Sequence, residues 1–448
     1  MSIRRRVLLN IGSNWATLGV NSVVGLVVIP VILHRLGDEA YGVWALLAFG
    51  LSYPVIFERA FALSLTHFVA AHRDRPERVD AYLTAALGIT AVLAAATVVL
   101  AAVCAPLLPR WLHSIPPRLA GEARATTLLV GTTLALNMLA APFSGLLKGY
   151  NLFTHSNAVT VAANLLRAAG IVVLLSRRPT MIAVQTAYVG AAALLLAGMA
   201  ATALRATGPR RLRSLRDGSG TLRNLWSYTA HSMIRSGSRV AMFNTLALLV
   251  GWRGTARDVT LYDLALKIPT FLNGLMAGAQ NVFLPLLSER TGRGDRDGFR
   301  RIAVAGNRLH LALSLPVAGG LLVGAPWLLG AWLQRPPTDE LVRLMRLLVL
   351  AMLPSAMFGV WLPALVALGR LRAVSVMAVA GTTGTVLLAL GLFAARVRPP
   401  LAAALAMLSV QVLYRACWLP WYGLRSAGIP GGDYVRELIG LRRAGGRR

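Results

Sequence analysis

The sequence predicts an all-α polytopic membrane protein of about twelve transmembrane helices, arranged in two pseudo-symmetric six-helix lobes. Three observations carry that expectation. Of 448 residues, 56% are hydrophobic and only 14% are charged, whereas a soluble domain usually carries about 25% charged residues. The charges are clustered, and apolar runs long enough to cross the roughly 30 Å hydrocarbon core as helices lie between them. Finally, the longest polar connection falls midway along the chain, with six apolar runs on either side.

Taken in order, the first run covers 11–33 and follows Arg4, Arg5 and Arg6. That order mimics a secretory signal, but the run is too long for a signal core and no A-x-A-like site follows, so it is read as a first spanning helix. The second run, 41–65, starts after HRLGDEA and is followed, a few residues on, by the polar stretch HRDRPER. Runs 82–108, 125–147, 157–175 and 182–204 complete the first lobe, residues 1–204. The stretch 205–225, containing GPRRLRSLRDGSGTLRN, reads as a basic cytoplasmic linker. The second lobe, 226–422, holds runs at 228–250, 260–287, 302–325, 341–366, 374–394 and 401–422, and a basic cytoplasmic tail fills 423–448.

Orientation follows from the arginines. With the N-terminus inside, inner segments hold 26 basic residues and outer segments 11, the asymmetry expected of cytoplasmic loops. Both termini are then cytoplasmic. The formal charge of +29 is accounted for by these loops, which also meet anionic lipids at the cytoplasmic face, so nucleic acid is not an expected partner. Cys104 and Cys417 stand alone inside apolar runs, a pattern that offers neither a metal site nor a disulfide. There is no GxxxxGK[ST], HExxH or G-x-S-x-G, hence no intrinsic ATP motor and no familiar catalytic constellation. The expectation is a non-enzyme without a cofactor, and a coupling ion, H+ or Na+, is left open.

Polar residues inside apolar runs are the candidates for function, because the membrane penalises them unless they face protein or water. Glu58 and Arg59 lie in the second run, where Glu58 can partner a cation on another helix and Arg59 can snorkel. Asn164 and Arg167 lie near the middle of the fifth. In the seventh, Arg235 and Arg239 are four residues apart and share a helical face, either as an anion site or as headgroup contacts of a helix that starts late. In the eighth, Asp263 and Lys267 have ion-pair spacing, as a gating network or a structural pair, and Gln280 and Asn281 follow deeper in. Pro269 and Pro285 interrupt that helix. The two halves are also weakly similar, each opening with a helix, a short Gly- and Asp-containing turn and a Tyr, a form of repeat common in transporters.

Residues 10–50, NIGSNWATLGVNSVVGLVVIPVILHRLGDEAYGVWALLAFG, resemble the opening of the polysaccharide biosynthesis, or oligosaccharide flippase, family of the multidrug and lipid-linked oligosaccharide exporter superfamily. Pro30, Arg35, Leu36, Gly37, Tyr41, Gly42 and Trp44 occupy the family's positions. LYDLALKIPTFLNGLMAGAQNVFLPLLSE is similar to the family's eighth helix through Tyr262, Ala265, Lys267, Pro285 and Ser288, and Lys148-Gly149 to the loop after its fourth. A departure is FERAFAL, where Ala60 stands in place of an expected glycine.

The resemblance implies an alternating-access transporter of the bacterial cytoplasmic membrane. Its implied activity is flipping of an undecaprenyl-pyrophosphate-linked glycan to the outer leaflet, alongside glycan polymerases or glycosyltransferases. Cavity arginines would hold the diphosphate; Arg235, Arg239 and Arg167 are the candidates. The alternatives are an ion-coupled multidrug or small-molecule exporter of the same superfamily and a membrane-embedded glycosyltransferase or ligase. Scarce internal acids count against the exporter, and short outer loops against the enzyme.

Overall fold

The computed structural model describes residues 3–208, 210, 219–280 and 282–440. It is all-α, and the chain packs as two compact units, Met1–Thr260 and Leu261–Arg448. That division by packing falls inside a helix rather than at 205–225. Nine stretches among the described residues are helical, long and apolar enough to cross a membrane.

The first unit contains α1 (Ile3–Leu51), α2 (Val55–Ala71), α3 (Pro76–Trp111), α4 (Ala120–Gly149), α5 (Phe153–Arg177), α6 (Met181–Thr207), α7 (Ser219–Arg253) and the start of α8 (Ala256–Gln280). Two expected runs lie in α1, which is two helical segments meeting at a non-helical kink at Gly37. With φ +78°, this position favours a residue without Cβ. The second expected run is instead divided at Ser52–Pro54. Pro54 lacks the amide hydrogen a continuing helix needs, and polar side chains of α7 satisfy the break. Asn244 donates to Ser52 Oγ at 2.6 Å, and Tyr53 and Thr245 share a hydroxyl bond of 2.8 Å.

Small residues set how closely these helices approach. A Cβ on Gly131 of α4 would collide with Ala101 of α3, and one on Gly145 would come within 2.8 Å of the Ala62 carbonyl of α2. Gly145 and Gly149 form a G-x-x-x-G face, the spacing that lets membrane helices pack backbone to backbone. Around it, Phe61, Leu65, Val69, Leu83, Leu146 and Leu147 are fully or almost fully buried. Thr255 and Asp258 cap α8 reciprocally: the Thr255 N–H donates to the carboxylate at 2.8 Å, and the Asp258 N–H to the hydroxyl at 3.3 Å.

The second unit contains the rest of α8, α9 (Phe283–Gly292), α10 (Arg296–Leu333), α11 (Asp339–Met357), α12 (Trp361–Ala367), α13 (Leu371–Ala394), α14 (Pro399–Gln411), a π-helical turn at Val412–Trp418, α15 (Leu419–Ala427) and α16 (Gly431–Leu438). Trp361 is fully buried in its core with Leu287, Phe299, Leu365 and Leu419. Large apolar side chains point outward in both units, Val99 and Leu165 in the first, Val323 and Leu387 in the second. A chain whose helices bury small and polar residues while exposing Val and Leu is built for lipid.

Finding nine candidate spans among the described residues, where twelve are expected, has an identifiable cause. The second run merges into α1 and a short α2 of 17 residues. In α7 only Val240–Arg253 forms a shorter apolar stretch. The eighth run is split between α8 and α9, with Asp258, Asp263 and Lys267 in its outer half.

Candidate functional site

In the first unit, α5 carries a polar stripe. Asn157, Asn164 and Arg167 are spaced seven and three residues apart and so share one face. Asn157 donates to Ser13 Oγ of α1 at 2.8 Å, and Asn164 donates to Asn21 Oδ1 of α1 at 2.6 Å. Arg167, half-buried, lays its guanidinium over the ring of Tyr188 on α6, 4.8 Å from the centroid. A cation–π contact of this kind fixes the plane of the guanidinium while leaving its edge N–H groups to reach an anion.

Tyr188 is itself held by a second chain of contacts. Its ring lies 6.0 Å from that of Trp44. Trp44 Nε1 donates to Gln185 Oε1 at 3.3 Å, and Gln185 Nε2 donates to Thr133 Oγ1 at 3.0 Å. Gln185 is 3% exposed, so both of its polar ends are spent inside the protein. α1, α4, α5 and α6 therefore converge on one cationic side chain resting on a braced aromatic. Such amide pairs hold membrane helices together by roughly 0.6 to 2 kcal/mol each.

Glu58 is half-buried on α2 and in electrostatic range of Arg59 and of Lys148 on α4. Lys148 is a cation on another helix within that range, the kind of partner the sequence leads one to look for. Arg59, its neighbour, is exposed, as snorkelling requires. Arg235 and Arg239 lie on α7, but their side chains fall outside the described residues.

In the second unit, Lys267 Nζ is 2.8 Å from Asp263 Oδ1, with the carboxylate side chain 1% exposed and the lysine 32%. The i,i+4 spacing thus forms an ion pair within α8. Gln280 donates to the Ser355 carbonyl of α11 at 3.3 Å, which ties down the end of α8. Asn281 lies outside the described residues. Behind Pro269, a cleft of about 40 Å³ lined by Asn273, Ser314, Met352 and Ala356 has room for water-sized occupants and not for a sugar.

Sequence reasoning missed two sets of polar residues. One is the Trp44–Gln185–Thr133 chain. The other is Asn307, His310 and Ser314 on α10, all buried, with His310 against the Ala356 backbone of α11 and the Asn307 and Ser314 side chains without a hydrogen-bond partner among the described residues. The spacing of three and four residues in a helix that exposes Leu309, Leu313 and Leu315 is a signal that a one-face polar count would have found.

A family model described as polysaccharide biosynthesis protein matches residues 7–290, from the start of α1 to the last turn of α9. The chain belongs to the polysaccharide biosynthesis protein family. No curated protein matches its sequence. Among solved structures, the fold is similar to that of the lipid II flippase MurJ in an inward closed conformation, with a TM-score of 0.73 at 14% identity, covering 96% of this chain and 90% of that one. An inward-facing multidrug resistance MATE family transporter of the MOP superfamily gives 0.72 at 13%, covering 91% and 96%. The eukaryotic MATE transporter AtDTX14 gives 0.66 at 14%, covering 97% and 99%. At such identities the likeness is one of fold. Membership of that family links this multi-helix, membrane-type chain to polysaccharide biosynthesis, and its fold is the one seen in the flippase and in the MATE transporters.

Proposed function

We propose that the protein flips a polyprenyl-diphosphate-linked oligosaccharide from the cytoplasmic to the outer leaflet of the bacterial cytoplasmic membrane for cell-surface polysaccharide synthesis. The observation that carries this reading is Arg167, a half-buried guanidinium mounted on Tyr188 in a helix whose polar face otherwise carries the amides of Asn157 and Asn164 and the Thr160 hydroxyl. Diphosphate oxygens match the planar donor fork of an arginine. The sugars suit an amide-lined path, and the polyprenyl tail stays in the lipid. No bond is made or broken, so no catalytic group is needed.

The cycle we propose exchanges access between two six-helix lobes, 1–204 and 226–422, joined by the basic segment 205–225, with both termini cytoplasmic. Twelve crossings are part of that proposal, as are Arg235 and Arg239 as further diphosphate ligands. Glycan polymerases or glycosyltransferases would supply and consume the cargo. H+ or Na+ would serve as the coupling ion if transport is driven.

The test is transfer of a labelled polyprenyl-diphosphate oligosaccharide across proteoliposomes. Losing one charge-assisted contact costs about 1.5–3 kcal/mol, so Arg167→Gln is expected to slow transfer by about 10- to 100-fold. Arg167→Lys, which keeps the charge but not the fork, should fall between. Transfer by Arg167→Gln at the wild-type rate, with the variant folded, would remove Arg167 from the site. A second reading, an exporter of small amphipathic molecules, is favoured by fold likeness to the MATE transporter at 0.72 against 0.73 for the flippase. Efflux of organic cations by protein that moves no lipid-linked glycan would select it.

A further inference from the structure

In the second unit, the turn between α9 and α10 and the end of α15 enclose a pocket of about 310 Å³. Three of its lining residues are Arg290, Arg296 and Arg425, accompanied by Thr291, Ser426 and the Asp295 carboxylate. Asp295 is committed elsewhere: it accepts from the Gly298 N–H at 2.7 Å and from Arg290 Nη1 at 2.9 Å. Arg425 rests on the ring of Trp421, 5.6 Å from the centroid, and Arg296 is exposed. Two loop glycines, Gly294 at φ +68° and Gly428 at φ +66°, let both turns fold back and leave the space open.

With one carboxylate against three guanidiniums, the lining keeps an excess of two positive charges. A diphosphate or phosphodiester group occupies far less than the enclosed volume, and hydroxyls at Thr291 and Ser426 add neutral hydrogen-bonding groups. A pocket for a nonpolar ligand would not gather three arginines, and a pocket for a cation would not leave them in excess. Its position between an α9–α10 turn rich in arginine and the basic C-terminal region places it on the cytoplasmic side under the charge asymmetry of the loops.

We propose that this pocket binds a phosphate-bearing headgroup at the cytoplasmic face, distinct from the α5 stripe. The chemistry is oxyanion recognition by Arg290, Arg296 and Arg425. The source is either an anionic phospholipid or a polyprenyl-diphosphate lipid waiting to be moved. The second case rests on the flippase reading, the first does not.

The experiment measures binding rather than transport. Purified protein in nanodiscs of phosphatidylcholine is titrated with inorganic pyrophosphate, and lipid retention is read by native mass spectrometry from mixed phosphatidylcholine and phosphatidylglycerol nanodiscs. Arg296→Gln/Arg425→Gln spares the Arg290–Asp295 pair and hence the fold of the turn, and is expected to weaken pyrophosphate binding at least 10-fold. Arg335→Gln, on an outer loop, should bind as wild type. Pyrophosphate that displaces phosphatidylglycerol identifies a pocket open to phospholipid. Pyrophosphate binding without displacement identifies one kept for a diphosphate. Equal pyrophosphate affinity and equal phosphatidylglycerol retention in wild type and the double variant would overturn the proposal.

Discussion

Asp295 shows how much of the molecule's chemistry sits in single side chains. The Gly298 N–H donates to its carboxylate, and that bond, with Arg290 beside it, holds the group below the ordinary carboxylate range despite some desolvation. A carboxyl depressed in the folded protein stabilises it fully above its unfolded value of about 3.9 and progressively less as pH falls through the folded value. Asp295→Asn keeps the cap but not the charge. The melting temperature of wild type should therefore exceed that of Asp295→Asn at pH 6, and the gap should close as pH falls toward 3; a gap constant over that range would show that the charge does not matter. At this scale the sequence was half legible. Asn164 and Arg167 announce themselves as polar residues in an apolar run. Their partners Asn21 and Tyr188 do not, because a pairing across some 143 residues, as between Asn164 and Asn21, leaves no trace in local periodicity. The Asp263–Lys267 pair was readable in full, since both halves lie one helical turn apart.

Helices were legible wherever apolarity alone decides them, as in α3, α5, α6 and α13. They were misjudged where backbone chemistry or tertiary cover intervenes. The break at Gly37 falls in the expected turn, but Pro54 stops a run whose apolar composition continues, with Asn244 and Thr245 on a distant segment filling the gap. The polar first half of α7 is helical because it lies against α2: Thr229 donates to Ser64 Oγ at 2.9 Å, and Tyr228 stacks on His67 at 4.8 Å. The α2–α4 contact depends on missing side chains. Overpacking a tight contact costs about 1–3 kcal/mol, so Gly145→Leu should lower the thermal midpoint of detergent-solubilised protein by several degrees, because the new side chain meets the Ala62 carbonyl and Leu65. Gly121→Ala, at an open position on the same helix, should leave the midpoint unchanged or slightly raised. Equal midpoints for Gly145→Leu and wild type would mean that the two helices are not in backbone contact in solution.

At the scale of the whole chain, the decisive quantity is the side of the membrane on which each loop lies, and α3 offers the cleanest place to read it. At 36 residues and 1.5 Å per residue, α3 is about 54 Å long, more than enough to cross the bilayer once. The loops at its two ends must then face opposite compartments however many other helices span. At its first end lie Arg73 and Arg75 in the loop and Arg78 in the first turn of α3, and Arg73 donates to the Gly149 carbonyl at 2.7 Å. At its other end lie Arg110 in the last turn of α3 and His113 and Arg118 beyond it, a sparser set of charges. Held at the same face is Arg210 from the basic connecting segment, whose Nη1 lies 3.4 Å from Asp80 and Nη2 2.9 Å from the Tyr150 hydroxyl. Two segments rich in arginine and the Lys148–Tyr150 turn thus gather at one end of the first unit, which the positive-inside rule assigns to the cytoplasm. With Cys104 and Cys417 replaced by Ala, a single cysteine at His113 should react with a membrane-impermeant maleimide on intact cells, while one at Asp74 should react only after permeabilisation. The reverse pattern would invert the molecule. Under the proposed twelve crossings it would also put the Arg290–Arg296–Arg425 pocket at the outer face, where no cytoplasmic precursor could reach it. Labelling of both cysteines in intact cells would mean that α3 does not cross, and would remove the basis for counting spans from apolar length.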